Sequence, residues 1–217
     1  MIVRFPRKIR ETFFLDHYKV VLVVSLVLIV LCYFFVDIPV AQYFRTLSSG
    51  EITFANVLTN LINPEYHYYL WSILFLLFRF LWKNQEWANR CLTIFVSLLL
   101  TNFLAGILKF LLGRARPDLL FSQDVYGFTF FASSTLYKSF PSIHSSTIGV
   151  ICGAFAGFYP RWSLYLLPLC LILALSRVAL TRHFVSDVIA GVTMGLLISQ
   201  WIYSVMKKDH FQHIMRK

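Results

Sequence analysis

Two histidines, an aspartate and three cationic side chains stand out in this sequence because they lie where strongly apolar segments begin or end. A charged side chain at the centre of a bilayer costs at least about 2.5–3.5 kcal/mol on insertion scales, so such residues need partners, water or a function. Taken singly, each has an ordinary explanation as a snorkelling lysine, a loop arginine or a surface ion pair. The chemistry emerges when they are taken together with the short segment around one histidine: Lys109, Arg116, Ser142, Ile143, His144, Arg177, His183 and Asp187.

His183 and Asp187 are four residues apart, so on a helix they share one face. A carboxylate that is hydrogen-bonded to one imidazole nitrogen fixes the tautomer and makes the other nitrogen a better nucleophile. A second histidine, His144, can then donate a proton to a leaving oxygen. These three residues predict nucleophilic catalysis assisted by a general acid.

The cations Lys109, Arg116 and Arg177 suit a phosphoryl group, because its equatorial oxygens carry negative charge in the transition state. Arginine offers a planar fork for bidentate contact with phosphate, and backbone N–H groups around Ser142 and Ile143, just before a helix, can add to it. Zinc or iron held by two histidines and an aspartate is the alternative. Three cations at the same place would repel a divalent metal, so we expect no metal ion and no other cofactor.

The segments that must position these residues are typical of a membrane protein. Apolar residues make up 58% of the chain and charged residues 14%, whereas soluble domains have about 25% charged residues. A transmembrane helix needs about 20 mostly apolar residues, and six candidates occur, at 18–36, 67–82, 91–112, 145–160, 162–180 and 185–206. We therefore predict an all-α fold, an integral membrane bundle of six transmembrane helices that forms a single domain over 1–217.

Basic residues orient this bundle. The N-terminal tail, 1–17, contains Arg4, Arg7, Lys8 and Arg10, and the C-terminal tail, 207–217, contains Lys207, Lys208, Arg216 and Lys217. An excess of Lys and Arg marks cytoplasmic segments, so both termini are expected in the cytoplasm and the residues above on the outer face. The net charge of +10 lies mostly at the ends of apolar runs, unlike the clustered basic surface of a nucleic-acid-binding protein. Membrane lipids are the expected partners, and nucleic acid is not.

The same residues resemble the signature of the type-2 phosphatidic acid phosphatase superfamily, which includes lipid phosphate phosphatases and is related to vanadium haloperoxidases. That signature is Lys, six residues, Arg-Pro; then Pro-Ser-Gly-His; then Ser-Arg, five residues, His, three residues, Asp. The corresponding stretches here are KFLLGRARP (109–117), PSIH (141–144) and SRVALTRHFVSD (176–187). All of the spacings fit, and the match extends over about 80 residues.

The resemblance implies a role for each matching position. His183 would be the nucleophile that forms a phosphohistidine, Asp187 would orient it, and His144 would be the acid for the leaving alcohol. The phosphate would be bound by Lys109, Arg116, Ser142, the backbone at Ile143, and Arg177. The resemblance also implies that no metal is needed and that the substrate is a lipid phosphate or pyrophosphate.

One position departs from the pattern, since Ile143 stands where the family usually has glycine. Glycine allows a positive φ and a close approach of the backbone to a ligand, and a β-branched residue tolerates a positive φ poorly. Either the backbone at Ile143 is ordinary, or the phosphate pocket is reshaped.

The resulting hypothesis is a metal-independent phosphatase that acts on a lipid phosphate or pyrophosphate at the outer face of a bacterial inner membrane. Candidate substrates are undecaprenyl pyrophosphate, phosphatidylglycerol phosphate, phosphatidic acid and lipid A. Two alternatives are open: a phosphotransferase that passes the phosphoryl group to another lipid, and a non-catalytic membrane protein with a vestigial site.

Overall fold

Most of the described part of the chain is helical, apart from a long irregular connection over 124–142. The computed structural model describes residues 17–215 of the 217 in the chain, so the predicted tail 1–17 lies almost wholly outside the described residues, as do 216 and 217. Within 17–215 there is no strand, and one isolated bridge pairs Arg114 with Phe128. This bears out the prediction of an all-α fold.

Nine α-helices are found between residues 17 and 215: α1 (Tyr18–Leu31), α2 (Asp37–Phe44), α3 (Ser49–Leu61), α4 (Pro64–Leu76), α5 (Gln85–Leu112), α6 (Pro117–Gln123), α7 (Ile143–Phe158), α8 (Ser163–Ala179) and α9 (Val185–Met215). A π-helical turn at Cys32–Val36 joins α1 directly to α2, and another at Leu77–Leu81 extends α4. Each of the six predicted spans coincides with one of the longer helical segments.

Three of these segments are long and apolar enough to cross a membrane: Tyr18–Phe44, Gln85–Leu112 and Val185–Lys207. Two further apolar helices, Ile143–Phe158 and Tyr165–Ala179, are shorter. By length and composition, these three helices are candidates to span a membrane, while a total of six transmembrane helices stays a prediction.

The distribution of side chains is the one expected of a protein surrounded by lipid. Apolar side chains of α1 such as Val23, Leu26 and Val27 are exposed, whereas polar ones such as Ser97 and Gln200 are fully buried. Lipid replaces water as the surroundings, so apolar residues gain nothing from facing inward, and buried polar groups find hydrogen-bond partners between helices. Gln200, for example, donates to the carbonyl oxygen of Gly153.

Glycines bring α7 and α9 into close contact at the centre of the bundle. A Cβ atom added to Gly191 or Gly195 of α9 would overlap a backbone carbonyl oxygen of α7, and one added to Gly149 of α7 would lie 2.5 Å from the carbonyl oxygen of Val192. Small residues allow two helices to approach this closely. The contact matters for the site because predicted site residues lie in the first turns of both helices.

Replacing Gly195 by alanine is therefore expected to destabilise the fold, because the new methyl group would overlap the Ser146 carbonyl oxygen and lie 2.7 Å from the Val150 nitrogen. We expect a loss of about 1–3 kcal/mol, as for overpacked cores, measured by thermal unfolding in detergent. The matched control is Gly106→Ala in α5, where an added Cβ meets nothing within 4 Å. Equal stability of the two variants would contradict the argument.

Candidate active site

The site is assembled at one end of the bundle from the ends of four helices. Lys109 lies in the last turn of α5, Ser142 and His144 at the start of α7, Arg177 in the last turn of α8, and His183 just before α9. Helix α5 ends at Gly113, which has a left-handed backbone (φ +57°), and an added Cβ there would lie 3.0 Å from the Phe130 nitrogen. The tight turn at Gly113 leads the chain directly to Arg114 and Arg116.

Lys109 is almost completely buried, with 6% of its surface exposed. Its ammonium nitrogen donates hydrogen bonds to the carbonyl oxygens of Lys138 and Ser139, the second at 3.2 Å. Lys109 also lies within electrostatic range of Arg116 and Arg177. The lysine is therefore directed into the bundle toward the other cations and does not snorkel toward the membrane surface.

The histidine that precedes α9 faces a buried carboxylate. The Nδ1 atom of His183 lies 3.6 Å from Oδ2 of Asp187. That oxygen accepts hydrogen bonds from the Ser139 hydroxyl at 2.6 Å and from the backbone N–H of Phe184 at 2.9 Å. Because Nδ1 faces the carboxylate, Nε2 is the ring nitrogen left for chemistry.

Burial sets the protonation state of this histidine. Only 4% of the surface of His183 is exposed, and this burial lowers its pKa, an effect that the neighbouring carboxylate of Asp187 opposes and the charges of Lys109 and Arg177 reinforce. A lowered pKa keeps the imidazole neutral at neutral pH. A neutral ring that carries its proton on Nδ1, facing the carboxylate, has a free lone pair on Nε2, which is what a nucleophile needs.

The start of α7 presents backbone amides beside this histidine. Ser142 is the N-cap of α7, and its own N–H donates to the Asp187 carbonyl oxygen at 3.1 Å. The amides of Ile143 and His144 belong to the first turn, which has no intrahelical acceptors. Ile143 is the first residue of a regular α-helix, so of the two expectations for this position, an ordinary backbone is the correct one. An isoleucine presents its N–H here as a glycine would.

The remaining predicted residues complete a cationic surround. Arg177, Lys109 and Arg116 all lie within electrostatic range of His144. Arg116 precedes Pro117 and is the N-cap of α6. The structure thus brings together all eight side chains or backbone groups that the sequence singled out. Arg182, in contrast, is exposed and lies 3.9 Å from Asp118, at the rim.

Four residues that the sequence reasoning did not single out also belong to this region. Thr59, Arg114 and Ser139 are hydrogen-bonded to predicted site residues, and Asp37 is bonded to Arg114. A signal was present for two of them, because an aspartate at the end of an apolar span and a second arginine beside Arg116 are both costly in a membrane. Ser139 and Thr59 carried no comparable signal, since hydroxyl groups are common in membrane helices and loops.

Thr59 supports Arg177 from the neighbouring helix α3. Its hydroxyl accepts hydrogen bonds from the Arg177 guanidinium at 3.2 Å and from the Ser176 hydroxyl at 3.1 Å. Thr59→Val keeps the shape and removes the acceptor, so kcat/KM for a lipid phosphate is expected to fall about three- to tenfold. The control is Thr53→Val, whose exposed hydroxyl bonds only within its own helix. An equal fall in both variants would refute this role for Thr59.

Comparison with known proteins gives a consistent picture. The model of the PAP2 superfamily matches residues 90–211. Two curated relatives are lipid A 1-phosphatases: that of Rhizobium etli is 37% identical over 102 residues, covering 47% of this chain and 44% of the relative, and that of Rhizobium johnstonii is 36% identical over 106 residues, covering 49% and 43%. The chain thus spans less than half the length of these relatives.

Two solved structures share the fold. The crystal structure of LpxE from Aquifex aeolicus has a TM-score of 0.58 and 18% identity, covering 78% of this chain and 95% of that one. The first transmembrane PAP2-type phosphatidylglycerolphosphate phosphatase from Bacillus subtilis has a TM-score of 0.60 and 20% identity, covering 89% and 96%. At these identities the likeness concerns the fold alone.

Proposed function

Because this chain belongs to the PAP2 superfamily, we propose that it is a lipid phosphate phosphatase that works through a covalent phosphohistidine on His183 and needs no metal ion. The observation that carries the proposal is the arrangement around His183: Nδ1 faces Asp187, three cations from three separate segments surround the site, and His144 lies among them. Cations, a neutral imidazole and a second histidine supply everything that two-step phosphoryl transfer requires.

In the first step, the lone pair on Nε2 of His183 attacks phosphorus, and the P–O bond to the lipid breaks. The negative charge of the bound phosphate offsets the cations beside His144, and His144, protonated in that complex, gives its proton to the departing oxygen, so that the lipid leaves as a neutral alcohol. Lys109, Arg116 and Arg177 stabilise the charge on the equatorial oxygens. Asp187 stabilises the positive charge that develops on the imidazole of His183.

In the second step, water attacks the phosphorus of phosphohistidine. His144, now neutral, takes a proton from that water, and the P–N bond breaks with its electron pair returning to Nε2. Inorganic phosphate leaves, and both histidines regain their starting states. The same two groups act in both steps, with His144 as acid and then as base.

Lipid A carrying a 1-phosphate is the substrate that we place first. The support is the identity of 36–37% to two lipid A 1-phosphatases over 102 and 106 residues. A lipid of the outer leaflet would also fit the site's expected position on the periplasmic face, which follows from the basic residues of the tails.

The test is phosphate release by the purified protein in detergent from a panel of four substrates: lipid A 1-phosphate, phosphatidylglycerol phosphate, phosphatidic acid and undecaprenyl pyrophosphate. We expect release, fastest from lipid A, that persists in EDTA. Activity that disappears in EDTA and returns only with added metal would overturn the metal-free mechanism. Radiolabelled phosphate that appears on a second lipid, in place of free phosphate, would identify a phosphotransferase.

A further inference from the structure

A fully buried ion network lies behind the proposed catalytic pair. Arg114, in the connection between α5 and α6, has no exposed surface. Its Nη1 atom donates to Oδ1 of Asp187 and, at 2.6 Å, to the Ser186 hydroxyl. Its Nη2 atom donates to Oδ2 of Asp37 at 2.7 Å and to the Tyr126 hydroxyl at 3.1 Å. One guanidinium thus joins two carboxylates that are 150 positions apart in the sequence.

Asp37 ties this network to the start of α9. It is 1% exposed, and its Oδ1 atom accepts a hydrogen bond from the Ser186 backbone N–H at 3.0 Å, while Oδ2 accepts from the Ser186 hydroxyl. Aspartate is a favourable partner for the free amides at a helix N-terminus. The first residue of α2 therefore holds both Arg114 and the first turn of α9.

Aromatic rings seal the network from water. The centroids of the Tyr33, Tyr126, Phe128 and Phe184 rings lie 4.7–5.5 Å from the guanidinium carbon of Arg114. Burial opposes the charged form of Arg114, but Asp187 and Asp37 outweigh it and keep its pKa raised. The arginine is therefore a permanent positive charge in a dry environment, where removing one partner of an ion pair is costly.

The network defines how the carboxylate of Asp187 is oriented. Arg114 holds Oδ1, and this leaves Oδ2 for the Ser139 hydroxyl, the Phe184 N–H and the imidazole of His183. Two carboxylates and one guanidinium give the network a net charge of −1, and the carboxylate of Asp187 lies beside His183. That charge is the one that would stabilise the imidazole as it takes up the phosphoryl group.

We propose that Arg114, anchored by Asp37, is a positioning residue that holds Asp187 in the orientation in which its Oδ2 atom faces Nδ1 of His183. This rests on the proposed phosphohistidine function. It also assigns a part in catalysis to Asp37, which lies outside the segment 90–211 that matches the family model. The helix pair α1–α2 would then be a component of the site and not only a membrane anchor.

The experiment compares Arg114→Gln, Arg114→Lys and Asp37→Asn with Asp187→Asn, alone and combined, using lipid A 1-phosphate. We expect Arg114→Gln to lower kcat about 10- to 100-fold, within the range of coupling between contacting residues, with KM changed less than about threefold. Arg114→Lys is expected to restore part of kcat. In the Asp187→Asn background, Arg114→Gln is expected to cause no further loss, because it acts through Asp187.

Independent, multiplicative losses in the double variant, or a rise in KM with kcat unchanged, would overturn the proposal and indicate a general structural role or direct phosphate binding. Folding is checked by thermal unfolding in detergent, with Arg79→Gln as the matched control, since Arg79 is exposed in the π-helical turn that extends α4. Asp37→Asn keeps the volume of the side chain, so it serves if Arg114→Gln does not fold.

A second measurement separates this proposal from the proposed function. ¹⁵N spectra of labelled histidine, with the His183 signals assigned from His183→Gln, report which ring nitrogen carries the proton. We expect an Nδ1–H tautomer in the wild-type protein and a mixture of tautomers in Arg114→Gln. If the wild type releases no phosphate from any lipid of the panel, the proposed function is refuted, and these spectra alone then test the positioning role of Arg114. Unchanged His183 signals in Arg114→Gln would then refute the positioning role.

Discussion

Replacing His183 by glutamine is expected to abolish phosphate release, with a loss in kcat on the order of 10⁴-fold or more, as for other enzymes that lose their nucleophile. Glutamine has nearly the volume of histidine and can still donate a hydrogen bond toward Asp187. It has no basic nitrogen with a free lone pair, so no bond to phosphorus can form. The fold is expected to persist, because His183 lies in the connection before α9.

The measurement is made with a lipid whose phosphate carries ³²P, quenched during turnover and separated from free lipid. The wild-type protein is expected to carry a label that is stable to base and released by acid, the behaviour of a phosphorus–nitrogen bond, and His183→Gln is expected to carry none. His17→Gln, at the far end of the bundle, is the matched control. A label of equal size in His183→Gln would place the nucleophile elsewhere.

The residues of the site were predictable because charges in an apolar chain are informative. Lys109, Arg177 and Asp187 lie within or beside helices that are otherwise apolar, and the energetic cost of burying them restricts such residues to places where they have partners. The spacing of four residues predicts that His183 and Asp187 share a helix face, whereas in the structure His183 lies just before α9 and Asp187 in its first turn. The two side chains nevertheless lie together, with Nδ1 of His183 3.6 Å from Oδ2 of Asp187.

The partners that support the site were not predictable, because they are distant in the sequence. Arg114 and Asp37 are 77 residues apart, and Thr59 is 118 residues from Arg177. Hydropathy and spacing carry no information on which loop lies against which span. The glycines of α7 and α9 have the same limit: Gly195 is an ordinary residue in an apolar run until the packed helices show what its missing side chain makes possible.

The end of the first helix shows that hydropathy patterns do not account for pairing between distant charged residues. The first predicted span ended at residue 36, yet the helix continues through a π turn into α2 and ends at Phe44. By hydropathy, Asp37 marks the end of the apolar segment. In the structure, Asp37 is buried, and its carboxylate is hydrogen-bonded to Arg114 and Ser186. A charged residue that marks the end of an apolar segment in the sequence can therefore lie buried within a continuing helix when an oppositely charged partner is present.

Replacing His144 by glutamine is expected to slow hydrolysis of lipid A 1-phosphate by about 10²- to 10⁴-fold, the usual contribution of general acid–base catalysis. The reason is that the alkoxide of the lipid is a poor leaving group, so its oxygen needs a proton as the P–O bond breaks. The p-nitrophenolate of p-nitrophenyl phosphate leaves without a proton. Transfer of the phosphoryl group from this substrate to His183 should therefore be much less affected. A burst of p-nitrophenol from this substrate measures that first step.

The comparison of the two substrates distinguishes an acid from a phosphate-binding residue. If His144 acts as the acid, His144→Gln separates the substrates, with a large loss for the lipid and a small one for the burst of p-nitrophenol. Arg116→Gln, which removes a cation beside the same group, should slow both substrates by similar factors because both develop the same charge on the equatorial oxygens. Equal losses in His144→Gln for both substrates would show that His144 binds the phosphoryl group and that another group, or water, protonates the leaving oxygen.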